Sequence, residues 1–185
     1  MLNKEKLRKD LREKLLKLDN EKRNEKSQLC FKNLIELLKA KGLLSNEIVL
    51  GLFAPLNDEI NIVESIAERV GTLAFPSVNE QAEMIFRESN FEDLVENTSF
   101  KVKILEPSLK SKVVTPDVLL VPGLAFGRKG ERLGRGRGYY DKYLQNYKGI
   151  TIGLSLDEQL VPEIPMEEHD CYLSWVVTDR EVIEI

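Results

Sequence analysis

Leucines recur at helical spacing from the start of the chain. Leu7, Leu11, Leu15 and Leu18 stand with charged residues between them, which predicts an amphipathic helix over residues 3–18. Asp19 or Asn20 then caps a second helix running to Lys41. Its apolar face takes Leu29, Leu34, Leu37 and Leu38, and Gly42 stands where a helix commonly stops. The period changes at Ile48: residues 48–54 (IVLGLFA) are a continuous apolar run closed by Pro55, the pattern of a buried strand. Asn61 caps a third helix through Val70, with Ile62, Ile66 and Val70 on one face and Gly71 ending it. Residues 73–75, closed by Pro76, form the next short strand. Connections this short make a βαβ unit, right-handed in nearly all known cases.

Residues 84–87 and 102–105 read as edge strands, with a helical turn over 91–95 between them. Residues 118–121 (VLLV) are a second deeply buried strand, ended by Pro122-Gly123 and followed by a long loop to about Gly136. Residues 138–147 read as a helix, and 151–156 and 175–178 as strands. Trp175 opens an apolar run and reads as core. Strands alternate with helices from residue 48 onward. This predicts a three-layer α/β/α sandwich with a largely parallel, Rossmann-like central sheet. The N-terminal helix pair, residues 1–42, packs on that sheet, so residues 1–185 are expected to form one domain.

Charge changes this picture in one respect. The net charge is −4, yet residues 1–41 carry +6 and the remaining 144 carry −10. Six basic residues fall between Arg128 and Lys142. Positive potential is thus concentrated in two places on an acidic protein, which suits a polyanionic small molecule. The overall sign argues against bulk nucleic-acid binding. No apolar run reaches the ~18–20 residues of a membrane span. Cys30 and Cys171 form no CxxC pair and no Cys/His cluster, so a reducing cytoplasm is the expected compartment. With no exposed apolar stripe in view, a monomer is the expected state.

Residues 130–141, GERLGRGRGYYD, carry the candidate chemistry. Gly134, Gly136 and Gly138 alternate with Arg135 and Arg137 directly before a helix. Glycines let backbone N–H groups converge, and a helix N-terminus adds positive potential for an anion. Arg132, Arg135 and Arg137 add planar donors matched to phosphate oxygens. The G-x-G-x-G spacing fits neither a Walker A loop nor a dinucleotide fingerprint. Asp141 falls in the first turn, where a carboxylate either satisfies free N–H groups or faces bound phosphates and holds Mg²⁺. Of Tyr139 and Tyr140, one is expected in the core and one in the pocket.

This segment, with KEKLR at Lys4 to Arg8, resembles the 5-formyltetrahydrofolate cyclo-ligases, also called 5,10-methenyltetrahydrofolate synthetases. The resemblance spans nearly the whole chain. It continues through Asp58-Glu59-Ile60, Phe75-Pro76, Glu106-Pro107, residues 117–144, Ile152-Gly153-Leu154 with Gln159, and Pro165 to His169-Asp170. It implies conversion of 5-formyltetrahydrofolate to 5,10-methenyltetrahydrofolate with ATP and Mg²⁺, releasing ADP and phosphate through a phosphorylated imidate. It also implies small-molecule partners only, with no nucleic acid and no membrane.

By the same resemblance, Lys4 and Arg8, four apart on one helix face, bind ATP phosphates. Arg132, Leu133, Gly134, Arg135, Gly136, Arg137, Gly138, Tyr139 and Tyr140 wrap the triphosphate. Arg135, Gly136, Arg137, Gly138 and Tyr139 also face the folate, and Arg135 is the catalytic residue. Asp141 and Asp170 hold Mg²⁺. Glu59 hydrogen-bonds the pterin ring and Ala54 lines the same pocket. Without the resemblance, Glu59 reads as a helix N-terminal acid and Asp170 as a turn cap. His169 is given no role.

Overall fold

The computed structural model describes residues 3–97, 104–168 and 170–185. Two residues of the strand expected over 102–105, and His169, lie outside the described residues. In chain order the elements are α1 (Lys4–Leu16), α2 (Asn20–Ala40), β1 (Val49–Gly51), α3 (Val63–Ala67), β2 (Thr72–Val78) and β3 (Met84–Glu88). Then come β4 (Val95–Asn97), β5 (Ile104–Glu106), β6 (Val113–Val114), β7 (Val118–Val121), β8 (Ala125–Phe126) and β9 (Arg132–Leu133). The chain ends with α4 (Tyr139–Asn146), β10 (Ile150–Leu154), a 3₁₀ turn (Asp157–Gln159), β11 (Trp175–Val177) and β12 (Val182–Glu184).

Among the described residues, eight strands form one sheet in the order β12-β11-β10-β7-β1-β2-β3-β6. The five from β11 to β2 run parallel. At the flanks β12 pairs antiparallel with β11, β3 with β2, and β6 with β3. β7 sits at the centre with all four residues buried. Its side chains alternate between faces, as a strand's must. Val118 and Leu120 join α2 and α3 in one core, with Leu34, Leu38, Ile66 and Phe75. Leu119 and Val121 join Leu144 of α4 in a second core on the opposite face, with Phe86 and Val176. Helices thus cover both faces, and the expected sandwich is the observed one.

Several boundaries differ from the sequence reading. α2 buries Cys30, Leu34, Ile35, Leu37 and Leu38, whereas Leu29 is half exposed; Cys30 takes the inward position one residue on. β1 is three residues long; the Leu52 N–H still donates to the Ala74 carbonyl of β2 at 2.8 Å, and the chain then runs on to Pro55. α3 covers five residues and not the nine from Ile62 to Val70. Its entry is an Asx turn in which the Asn61 side chain accepts from the Val63 N–H. Pro76 lies inside β2 and does not end it. Beyond Ala74, β2 has left β1 and pairs with β3 alone, so a residue without an N–H is tolerated on the open side. β3 is interior to the sheet, with β6 outside it. Residues 91–94 form a turn leading into the β4–β5 hairpin.

The loop after β7 is also more ordered than expected, because β8 and β9 pair within it. Phe126 anchors that hairpin. It fills space left by two glycines: a Cβ on Gly123 would lie 2.7 Å from its ring, and one on Gly153 would lie 2.6 Å from it. α1 completes the arrangement. Leu11 is buried with Ala125, Leu133 and Ile164, and Leu7 packs against the same cluster. α1 therefore lies on the hairpin, while α2 lies on the sheet. Gly153→Ala is expected to destabilise the protein by about 1–3 kcal/mol, as overpacking does, and to loosen the hairpin. Urea unfolding checks the first effect, and amide exchange at Phe126 and Leu133 the second.

Candidate active site

The seam that fixes α1 on the hairpin also places its charges. Lys4 and Arg8 are one helical turn apart, beside the Leu7 and Leu11 stripe. The Arg8 Nε donates to the Gly134 carbonyl at 3.0 Å, and Arg12 donates to the Arg135 carbonyl at 3.3 Å. α1 thereby pins the backbone of the glycine loop from above. Between them opens a cleft of about 320 Å³, walled by Lys4, Arg8, Arg132, Leu133, Gly134, Gly136, Gly138, Asp141 and Asp170. Every one of these nine was expected at the site from the sequence. Asn3, Glu5 and Glu167 line it as well. Glu167 belongs to the acidic stretch before Asp170; Asn3 caps α1 through the Glu5 N–H.

Gly136 and Gly138 have φ of +101° and +72°, a region where a side chain would be strained. Gly138 is the N-cap of α4 and supplies no side-chain cap, so Asp141 is the acid of the first turn. Its carboxylate is turned to the buried Arg132, which also donates to the Pro122 carbonyl. Asp141 thus lines the cleft in an ion pair with Arg132, a contact that neither of the two roles open for it from the sequence described. Lys4 is held between Asp170 at 2.7 Å and Glu167 at 3.0 Å. Partial burial works against the Lys4 ammonium, but these carboxylates outweigh it and keep its pKa above the usual lysine value.

Arg135 is the exception. Its two neighbours line the cleft, but its guanidinium leaves it. The Nε donates to Glu59 at 3.0 Å and Nη2 to Asp58 at 2.6 Å. Glu59 is nearly buried, with its side chain 9% exposed, and its second oxygen accepts the Leu56 N–H at 2.9 Å. Burial raises the Glu59 pKa, against the pull of Arg135 and the Leu56 amide. Burial also opposes the charge of Arg135, yet the two carboxylates raise its pKa overall. This contact bridges the loop after β1 to the loop after β7. Both lie beyond the carboxyl ends of parallel strands, where open α/β sheets bind ligands.

Tyr139 and Tyr140 are both half-buried and both packed against the second core, so neither is purely a pocket residue. The Tyr140 hydroxyl is buried without a hydrogen-bond partner among the described residues, and burial raises its pKa. Its ring stacks on Arg132, 5.6 Å from the guanidinium carbon. Arg137 is exposed. Ala54 is half-buried beyond the end of β1 and does not line this cleft. The sequence reading missed Asp58 as the second anchor of Arg135; its adjacency to Glu59 was the available signal.

No group of three or more metal-ligating side chains occurs among the described residues. The cleft nonetheless holds oxygen donors that suit Mg²⁺. Asp141 and Asp170 both face it, and Mg²⁺ is commonly bound by one or two carboxylates plus substrate phosphates.

A raised Glu59 pKa has a defined sign. The folded protein binds this proton more readily than the unfolded chain does. Its contribution to stability therefore falls as pH rises from the ordinary value of 4.5 through the folded one. A carboxyl-carbon NMR titration is expected to place Glu59 above 4.5. Arg135→Ala is expected to move it higher still, because the guanidinium is the largest influence holding it down.

The chain matches the 5-formyltetrahydrofolate cyclo-ligase family over residues 1–179. The mouse 5-formyltetrahydrofolate cyclo-ligase is 30% identical over 188 residues, covering 89% of this chain and 87% of its own. The Escherichia coli K12 enzyme of that name is 38% identical over 121 residues, 62% of this chain and 59% of its own. The Aquifex aeolicus 5,10-methenyltetrahydrofolate synthetase structure superposes with a TM-score of 0.79 at 25% identity, covering 99% and 93%. The Mycoplasma pneumoniae synthetase shares the fold, with a TM-score of 0.77 at 21% identity over 96% and 99%. No helix among the described residues is long and apolar enough to cross a membrane. Together with the fold and the cleft, these likenesses establish that the chain belongs to the 5-formyltetrahydrofolate cyclo-ligase family, whose ATP-dependent members convert 5-formyltetrahydrofolate to 5,10-methenyltetrahydrofolate.

Proposed function

We propose that this chain carries out that reaction in two adjoining subsites, a phosphate cleft under α1 and a folate subsite around Glu59. The observation that carries the reading is the convergence of Lys4, Arg8, Arg132, the loop glycines, Asp141 and Asp170 on one cleft. The Arg135–Glu59 bond joins it to the second loop. Lys4, Arg8 and Arg132 are the fixed donors for the triphosphate. Gly134, Gly136 and Gly138 leave room for phosphates against the backbone, with Leu133 and Tyr140 behind them. Asp141 and Asp170 would hold Mg²⁺, which when bound neutralises charge developing on the phosphates.

In the folate subsite Glu59 accepts ring N–H groups of the pterin, with Ala54 beside it. The formyl oxygen attacks the γ-phosphorus and the bond to ADP breaks, giving a phosphorylated imidate. N10 then attacks the formyl carbon and loses its proton as phosphate departs with the former formyl oxygen. Phosphorylation converts a poor leaving group into a good one, so no covalent nucleophile on the protein is needed. The protein's part is positioning and charge stabilisation. Arg135, whose backbone borders the cleft and whose side chain reaches Glu59, is placed to act on both substrates, with Gly136, Arg137, Gly138 and Tyr139.

We read residues 1–185 as one domain, since α2 shares its core with the sheet. A monomer acting in the cytoplasm completes the reading, and the unpaired cysteines agree with a reducing compartment.

Purified protein is expected to generate the near-UV absorbance of methenyltetrahydrofolate from 5-formyltetrahydrofolate only with ATP and Mg²⁺. No signal at high enzyme concentration would sink the assignment. Lys4→Ala is expected to raise the KM for ATP by about 10- to 100-fold, the worth of one charged hydrogen bond. ATP is expected to protect the protein against thermal unfolding, and to do so less in EDTA.

A further inference from the structure

Gly134 and Gly136 both border the phosphate cleft, so the backbone of Arg135 is at its rim. Its side chain nonetheless turns out of the cleft to two carboxylates of the neighbouring loop. The peptide is fixed while this happens. Arg8 holds the Gly134 carbonyl, and Arg12 holds that of Arg135 itself. Redirecting the guanidinium therefore requires side-chain rotation and not a loop shift. Lys4 and Arg132 face the cleft already, each neutralised by an acid that lines it. Arg135 differs because its partners belong to the other subsite.

Glu59 is too buried to be left alone. One oxygen is taken by the Leu56 amide and the other by Arg135. Removing one member of a buried pair leaves an uncompensated charge, which is strongly unfavourable. Arg135 can thus leave Glu59 only as other donors arrive there. Asp58 is then a single remaining anchor, against a triphosphate of several negative charges.

We infer that Asp58 is a positioning residue: with Glu59 it holds Arg135 away from the nucleotide, and the folate's ring donors, by engaging Glu59, release that guanidinium into the phosphate cleft. The inference rests on the reading of Glu59 as the folate's partner. It makes the two substrates bind cooperatively, since each favours the state in which the Arg135 contact is open. It also leaves the full positive charge of the cleft unassembled until the acceptor is in place. Weakening the anchor pre-opens that state, which tightens binding of either ligand alone and shrinks the coupling between them.

Calorimetric titration of the intact protein tests this with two unreactive probes. One is the β,γ-imido analogue of ATP with Mg²⁺; the other is tetrahydrofolate, which lacks the formyl oxygen. In the wild type, saturating tetrahydrofolate is expected to lower the analogue's Kd by about 5- to 150-fold, the usual span of allosteric coupling. In Asp58→Asn the analogue is expected to bind more tightly without folate, and the coupling to fall to less than about a third of its wild-type factor. A merely structural Asp58 gives the opposite sign, weaker binding and a lower melting temperature. Asp58→Ser is the second substitution, and the wild-type coupling needs none. Absent coupling in the wild type, or coupling unchanged in both variants, overturns the latch and leaves the assignment of Glu59 standing. Tetrahydrofolate affinity unchanged in Glu59→Gln overturns that assignment, and the latch with it.

Discussion

The burial of Leu7 and Leu11 against Ala125, Leu133 and Ile164 is the contact on which the site depends. It joins the first helix to a hairpin more than a hundred residues later. Without it, Lys4 and Arg8 are two more charges on a solvated helix. With it, they become the roof of a cleft whose floor is the glycine loop. The hairpin can serve as a floor because Phe126 ties it to the sheet, in the space that Gly123 and Gly153 leave open. A short apolar chain of contacts thus runs from the central strands to the charged cleft.

Electrostatics imposes the second constraint. The cleft under α1 gathers cations, and gathered cations repel. The structure answers with an acid for each of three: Asp170 for Lys4, Asp141 for Arg132, and Asp58 with Glu59 for Arg135. In the proposed reading, Asp141 and Asp170 gain a metal when the phosphates arrive. Glu59 gains the pterin ring. Binding is then an exchange of partners and not the filling of a bare positive hole. That keeps the ground state from carrying unpaired buried charge, which proteins tolerate poorly.

The sequence made some of this legible and not the rest. The helices with a clear period, α1, α2 and α4, stand where the pattern puts them, and so does β7, whose unbroken apolar run marks a central strand. The two-residue strands β6, β8 and β9 have no period to read and exist through their partners. Pro76 looked like a strand end, because only the topology reveals that β1 has already left that side of β2. Leu29 and Cys30 differ by one step of helical rotation, and a face wide enough to contain either leaves the choice to packing. At the site, the glycine loop and its resemblance to a family named nine of the twelve residues that line the cleft. What could not be read was direction. Nothing local to residues 130–141 says that the Arg135 side chain leaves the cleft, since its partners lie 76 and 77 positions upstream.

The Lys4–Asp170 pair spans 166 positions of chain. Contacts so distant in sequence are entropically late in folding, because the loop they close is long. During synthesis, helix α1 emerges well before the residues that give it a counterpart. The cleft under α1 therefore cannot exist as a partial structure on a growing chain. In the proposed reading, nucleotide occupancy reports a finished fold, which a growing chain has not yet reached.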